Sequence, residues 1–189
     1  MNILRKLLIK TKKEEKMETK SGAKFRGEFV TECYRDGKLI WLDKTHNIIT
    51  NQGLDHILNT ELHAGTAITT WYCTLVETNT TPAATMTYAV PTYTESTAYD
   101  ETTRPEYVEA ASSSQSVTNS ASKAVFTISA TKTMYGASLV GGGTAASTKA
   151  DTAGGGTLLC YALFSASRAV VDNDVINLTY TVSAADDGV

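Results

Sequence analysis

The chain has 189 residues, a mass of 20.3 kDa, 42% hydrophobic residues and a formal charge of −3. This length suits one domain with a sizeable core, and two domains are not expected. No run reaches the roughly eighteen apolar residues of a membrane span, and residues 3–9 are too short and too charged for a secretory signal.

Charge is divided unevenly along the chain. Residues 1–26 carry nine Lys or Arg against three Glu, or +6, and the remainder carries eight against seventeen, or −9. A basic segment on an acidic body is typical of proteins that bind nucleic acid, a membrane surface or an acidic protein surface, such as that of another copy of the chain. A solvated tail is the simpler alternative. We predict a basic N-terminal arm over residues 1–23, extended or helical, and one β-sandwich domain over residues 24–189.

The first residues of the arm have an amphipathic pattern. Apolar side chains at helical spacing (Ile3, Leu4, Leu7 and Leu8) precede the charged run 10–20. The arm is therefore a candidate docking element. Its lysines could touch phosphate without reading sequence, so no specific nucleic-acid binding is predicted.

The first elements of the body are a hairpin and a helix. Residues 24–33 alternate apolar and polar side chains, and Asp36 and Gly37 then give a hairpin signal before residues 39–43. Thr50 or Asn51 can cap a helix that ends near Gly65. Its apolar face consists of Leu54, Ile57, Leu58 and Leu62. We expect this helix to cover an open end or face of the sheet.

A dense strand and a long loop follow. Residues 68–76 are rich in aromatic and β-branched side chains, which favours a central strand. Residues 77–122 hold all three prolines and few periodic apolar residues, so a long surface loop at about 77–122 is predicted, of a kind that often forms interfaces. Four of its tyrosines are candidate contact residues, Tyr88, Tyr93, Tyr99 and Tyr107. The alternative is that they pack the loop onto its own body.

The second half of the chain continues with strands. Residues 122–140 repeat with period two on either side of a polar turn and predict a β-hairpin. A Gly-rich connection, 141–156, leads to strands at 158–164 and 175–183. With seven or eight strands and one short helix, the fold class is mainly β: an antiparallel β-sandwich or a jelly-roll-like barrel.

The residues that could take part in catalysis or metal binding form no recognisable site. Cys33, Cys73 and Cys160 lie in apolar runs without metal spacing and are expected to be reduced core residues. His56 and His63 share a helix face but lack a third ligand, so a structural or solvent-facing role is favoured. Acidic residues of the long loop, between positions 100 and 109, suit a polar loop better than a calcium site. We predict no enzyme, no metal and no cofactor.

Several segments together resemble a family of structural proteins of tailed-bacteriophage virions. They are FRGEF at 25–29, NIITNQGLDHIL at 47–58, TTWYCTLVE at 69–77, STAYDETTRPEY at 96–107, NSASKAVFTISATKTMYGASLV at 119–140 and SRAVVDNDVINLTYTVS at 167–183. They span most of residues 24–183 and leave residues 1–21 outside. The family contains head decoration or cement proteins and tail-fibre-like proteins.

The resemblance implies a non-enzymatic virion protein, assembled in the host cytoplasm, that decorates or stabilises the capsid. Its expected partners are other copies of itself, in a homo-oligomer, and major capsid or head-tail proteins. A tail, collar or fibre-attachment component is the first alternative, and a carbohydrate-binding β-sandwich is the second. The candidate partner-binding residues are Ile3, Leu4, Arg5, Lys6, Leu7, Leu8, Lys10, Lys12, Lys13, Tyr88, Tyr93, Tyr99 and Tyr107.

Overall fold

Residues 22–186, described by a computed structural model, form two antiparallel sheets packed against each other. The elements are β1 (Ala23–Arg35), β2 (Lys38–His46), β3 (Ile48–Ile49), α1 (Asn51–Leu62), β4 (Trp71–Val76), β5 (Ser116–Thr118), β6 (Ala124–Thr127), β7 (Lys132–Gly141), β8 (Thr157–Val170) and β9 (Val175–Asp186). Sheet A has the order β2-β1-β9, with β5 and β6 both on the free edge of β9, and sheet B has the order β3-β8-β7-β4. The prediction of a mainly β antiparallel sandwich with one short helix is confirmed.

The hairpin of β1 and β2 forms as predicted. Asp36 and Gly37 both have positive φ, 49° and 74°, which matches the backbone twist of a tight two-residue turn. Phe29, Thr31 and Cys33 of β1 are buried, while the residues between them are partly exposed. β1 also pairs with β9 from Ala23↔Asp186 to Tyr34↔Val175, so the first and last strands form the centre of sheet A.

Helix α1 begins and ends close to the predicted positions. The Thr50 hydroxyl accepts a hydrogen bond from the Gly53 amide at 3.0 Å, as an N-cap residue does, and His63 is the C-cap. Gly53 packs against the Leu159 backbone so closely that an added Cβ would lie 2.5 Å from the Leu159 carbonyl oxygen. The helix therefore packs on β8. Leu62, by contrast, is 80% exposed.

The hairpin predicted at residues 122–140 is wrong. β6 pairs with β9 in sheet A, whereas β7 pairs with β4 and β8 in sheet B. The residues between them, 128–131, cross from one sheet to the other. The alternation itself is present, since Ala124, Phe126 and Ile128 are all buried. A period of two fixes which side chains point inward, but it does not say which strand lies alongside.

The predicted central position of β4 is also wrong. β4 is the last strand of sheet B, although its outer edge is not bare. The Cys73 amide donates to the Pro105 carbonyl at 2.8 Å, and the Ser96 amide donates to the Leu75 carbonyl at 2.8 Å. Segments of the long loop therefore occupy the hydrogen-bonding edge of β4, which explains its buried side chains.

The main core lies between the two sheets. Its largest fully buried side chains include Phe29, Tyr180, Phe126, Met134 and Leu178. A second apolar cluster around Val76, Met86 and Tyr161 lies where the long loop covers sheet B. Among residues 22–186, no helix has the length and hydropathy needed to cross a membrane.

Candidate functional site

An open apolar cleft of about 510 Å³ lies beside helix α1. Its walls come from α1, from the beginnings of β1 and β4, from the connection before β4 and from residues 107–112 of the long loop, and strands β3, β5, β7, β8 and β9 also contribute lining residues. Clefts of roughly 300–1,000 Å³ that are mainly apolar are the usual sites of ligand or peptide binding. We call it the apolar cleft.

Aromatic residues form much of the cleft. Tyr107 and Tyr180 are buried in its floor, with ring centroids 5.8 Å apart, and the Tyr107 hydroxyl donates to the Tyr180 carbonyl at 3.2 Å. Burial raises the pKa of both phenols above its ordinary value, so they remain neutral. Phe25, 39% exposed, and half-buried Trp71 complete the aromatic lining.

Helix α1 supplies one wall of the cleft. Ile57 packs against the core, and the His56 ring meets the Trp71 ring edge-on, with centroids 5.6 Å apart. The Thr60 hydroxyl is buried without a hydrogen-bond partner among residues 22–186. Glu61 of α1 and Glu109 of the long loop are exposed at the mouth. The cleft therefore combines an apolar interior with an acidic rim.

A second surface lies on the edge strand β2. Leu39, Ile40 and Leu42, which we call the edge row, are 52%, 43% and 47% exposed. The alternating residues Trp41 and Asp43 point toward β8, so the edge row has no cover within residues 22–186. Unpaired strand edges that carry apolar side chains are common sites of association between chains.

The inward side of β2 is fixed by a polar cluster. The buried Asp43 carboxylate accepts hydrogen bonds from the Ser165 hydroxyl at 2.6 Å and from Arg168 Nη2 at 2.6 Å. Trp41 stacks near Phe164, with ring centroids 6.3 Å apart. These contacts attach the edge of sheet A to β8 of sheet B, so β2 presents a rigid outer edge.

The four loop tyrosines are buried, contrary to the prediction that they contact a partner. Tyr88, Tyr93, Tyr99 and Tyr107 are 3%, 9%, 2% and 4% exposed. Tyr93 stacks on Tyr161, with centroids 4.7 Å apart. The structure therefore shows the alternative, in which these rings pack the long loop onto the chain's own body. Burial of a large aromatic side chain lowers the free energy of the folded state more than exposure does.

Arg104 holds the long loop in place. Its guanidinium forms a two-point ion pair with Glu95, Nε to Oε1 at 2.9 Å and Nη2 to Oε2 at 2.6 Å. It also donates to the carbonyls of Ala146 and Asp151, each at 2.9 Å, and to the Tyr88 hydroxyl at 3.1 Å. Burial opposes its charge, but the Glu95 contact outweighs burial and raises the Arg104 pKa. All these partners belong to the chain itself.

The other candidate chemical groups are dispersed. Cys33, Cys73 and Cys160 are buried free thiols, as predicted, and burial raises the pKa of Cys33 to about 12. His56 lies in the cleft wall, and His63 caps α1. Among residues 22–186, no three His, Cys, Asp or Glu side chains are grouped as metal ligands would be.

Acidic residues of the long loop also connect it to neighbouring strands. Both Glu101 carboxylate oxygens accept from the Thr127 amide at 3.1 Å, which ties the loop to β6. Glu106 forms an isolated antiparallel bridge with Tyr72 of β4.

Sequence reasoning missed the cleft and the edge row. The cleft collects residues from ten segments between Phe25 and Val182, and no local pattern relates them. The edge row had a signal in the run Leu39 to Leu42, where four consecutive large apolar residues exceed what one buried face of a strand needs. The arm residues Ile3, Leu4, Arg5, Lys6, Leu7, Leu8, Lys10, Lys12 and Lys13 lie outside the described residues.

No protein-family model matches the sequence, and no curated protein matches it.

Proposed function

We propose that this chain is a non-enzymatic structural protein of a tailed-bacteriophage virion. In this role it is a decoration or cement protein that covers the capsid in many copies. The sandwich body lies on the outer surface, and its contacts with other copies and with the major capsid protein stabilise the shell. Many identical contacts, each weak, make such a layer effective.

The observation that carries this proposal is the edge row of β2. Three large apolar side chains stand exposed within four residues, on a strand edge that is held rigid from behind by Trp41 and Asp43. Complete burial of a large apolar side chain contributes about 1.5–3 kcal/mol, and these three, about half exposed, would each contribute roughly half of that on contact. A rigid apolar edge of this kind suits contact between subunits, because the fully buried centre of an interface is more apolar than the rest of the surface.

The polar interactions of the body support the same role. The buried ion pair Arg104–Glu95 joins two parts of the long loop, and the partly buried pair Arg168–Asp43 joins β8 to β2. Their charges are used for holding loops and sheets together.

The test is binding of the purified full-length chain to empty capsids of the phage that encodes it. In a co-sedimentation titration, Leu42→Lys should weaken binding about tenfold or more, because it removes apolar burial and places a charge at the interface. Val125→Lys is the matched control. Val125 is 42% exposed on β6 of the same sheet, away from the β2 edge. Equal losses in the two variants would contradict a role for the edge row.

The arm has a separate test. Deletion of residues 1–20 should weaken capsid binding if the arm grips a neighbouring subunit or the shell. Undiminished binding would remove the arm from the mechanism while leaving the edge row intact.

A tail, collar or fibre-attachment component is the alternative, because a rigid sandwich edge serves equally well in a ring. Copy number separates the two roles. On the order of hundreds of copies per particle favours the capsid, whereas about six or twelve favours the tail axis.

A carbohydrate-binding role is favoured by one observation, the half-buried Trp71 in an open cleft with Glu61 and Glu109 at its mouth. Sugars bind on aromatic faces between polar groups. Binding on a glycan array that Trp71→Ala abolishes would support this role, and an array without binding would contradict it.

A further inference from the structure

We propose that, in the free protein, the apolar cleft holds the apolar face of the chain's own N-terminal arm, formed by Ile3, Leu4, Leu7 and Leu8. The arm docks there intramolecularly. This inference concerns the free chain and does not depend on a role in the virion.

The cleft has the size and character to receive such a segment. Its volume of about 510 Å³ is lined by apolar side chains, of which Phe25 is 39% exposed and Ile68 and Trp71 are half-buried. Apolar surface left in water is unfavourable by about 25 cal/mol for each Å². A short amphipathic segment with apolar residues at i, i+1, i+4 and i+5 presents a ridge of the kind that binds in apolar grooves.

The position where the described chain begins favours the arm as the occupant. Gly22 is the first described residue, and Phe25, three residues later, lines the cleft. Residues 9–21 separate Leu8 from Gly22 and, when extended, span roughly 43 Å. This length allows the chain to turn back to the cleft, and a tether this short gives an effective concentration in the millimolar range.

Charge favours the same occupant. Glu61 and Glu109 are exposed at the mouth of the cleft. The arm carries basic residues between and after its apolar positions, among them Arg5, Lys6 and Lys10. Opposite charges at the rim of an apolar contact orient the bound segment and increase the rate at which it binds.

Trp71 provides a reporter for the test. The chain has two tryptophans, and Trp41→Phe leaves Trp71 as the only one. In this full-length background, acrylamide quenching of the fluorescence measures access to the Trp71 ring. The arm variant Leu4→Asn with Leu7→Asn should increase the quenching constant about twofold, because the ring loses its apolar cover.

Ile9→Asn is the control, because it replaces an apolar residue by the same polar one at a different position. On a helix, Ile9 would lie about 200° around the axis from Leu7. It should leave quenching unchanged. A change on the cleft side, Ala111→Arg, should reproduce the effect of the arm variant. Ala111 lines the cleft and is exposed, so its replacement does not disturb the core. Unchanged quenching in both the arm variant and Ala111→Arg would overturn the inference.

Dilution distinguishes the chain's own arm from that of a second copy. Intramolecular docking predicts the same quenching constant from about 1 to about 100 μM protein, since no association is involved. Quenching that increases on dilution would show exchange of arms between copies and would overturn intramolecular docking.

Discussion

The buried guanidinium of Arg104 is the most connected charged group at the level of single residues. It links Glu95, Tyr88 and two carbonyls in the 146–151 region, so one side chain joins the long loop to the Gly-rich connection between β7 and β8. Such a group stabilises the fold only when every partner is present, because an unpaired charge in a buried site is very unfavourable.

Arg104→Met should therefore lower the free energy of unfolding by about 3–5 kcal/mol, since it leaves the Glu95 carboxylate buried without its partner. Urea unfolding followed by circular dichroism measures the change. Lys123→Met is the matched control. Its ion pair with Glu32 is at the surface, and its loss should change stability by less than about 1 kcal/mol. Similar losses in the two variants would contradict the structural importance of the Arg104 network.

Gly27 is a second residue on which packing depends. An added Cβ would overlap the Asn47 Oδ1 atom and the Tyr180 hydroxyl, so Gly27→Ala should destabilise the chain by about 1–3 kcal/mol through overpacking. Thermal and urea unfolding measure this. Gly155→Asn is the control, because Gly155 has φ of 72° and open space around it, and Asn tolerates that backbone conformation. A neutral Gly27→Ala would show that the core near Tyr180 can move.

Asp174 gives the fold an acid-sensitive contact. Hydrogen bonds from Arg35, at 2.7 and 2.8 Å, and from the Val171 amide hold its pKa below the ordinary value of 3.8. The stabilisation is therefore fully present above pH 3.8 and is lost as the pH falls through the lower pKa of the folded state.

Asp174→Asn should lower stability at pH 7 by about 1–3 kcal/mol and flatten the decline below about pH 4, because the titrating partner of Arg35 is gone. Urea unfolding at intervals from pH 2 to pH 7 measures both effects. A variant with the same acid dependence as the native chain would assign that dependence to other carboxylates.

Among the elements, α1 depends on one residue at its beginning. Thr50 caps the Gly53 amide and also donates to the Leu158 carbonyl, so it both starts the helix and joins it to β8. Thr50→Ala should lower the free energy of unfolding by about 1–2 kcal/mol. Thr50→Ser, which keeps the hydroxyl, should retain most of the stability in the same urea titration. Equal losses would indicate that the methyl group, and not the cap, matters.

The elements also show which parts of the fold were predictable. Asp36 and Gly37 carry the turn chemistry that fixes the β1–β2 hairpin, and Thr50 carries the cap of α1, so both were predicted from local sequence. The partners of β6 and β7 were not, because pairing between strands depends on distant residues such as Ile176 and Leu163. Short strands such as β5, three residues long, lie within a loop-like composition and were missed.

At the scale of the whole molecule, the period and spacing of the strands were enough to predict a mainly β sandwich but not its contact surfaces. The tyrosines of the long loop were candidate contact residues, with packing onto the chain's own body as the alternative, and they are buried. The surfaces that the structure does expose, the edge row of β2 and the apolar cleft, arise from strand order and from the meeting of distant segments. Those features are properties of the assembled fold.

The central claim is that this sandwich decorates a capsid. The most direct test is a low-resolution map of virions with and without the protein. The account predicts additional density, of the size of a 20.3 kDa body, repeated over the capsid surface at equivalent positions. Density confined to the tail vertex, or no difference between the two particles, would contradict it.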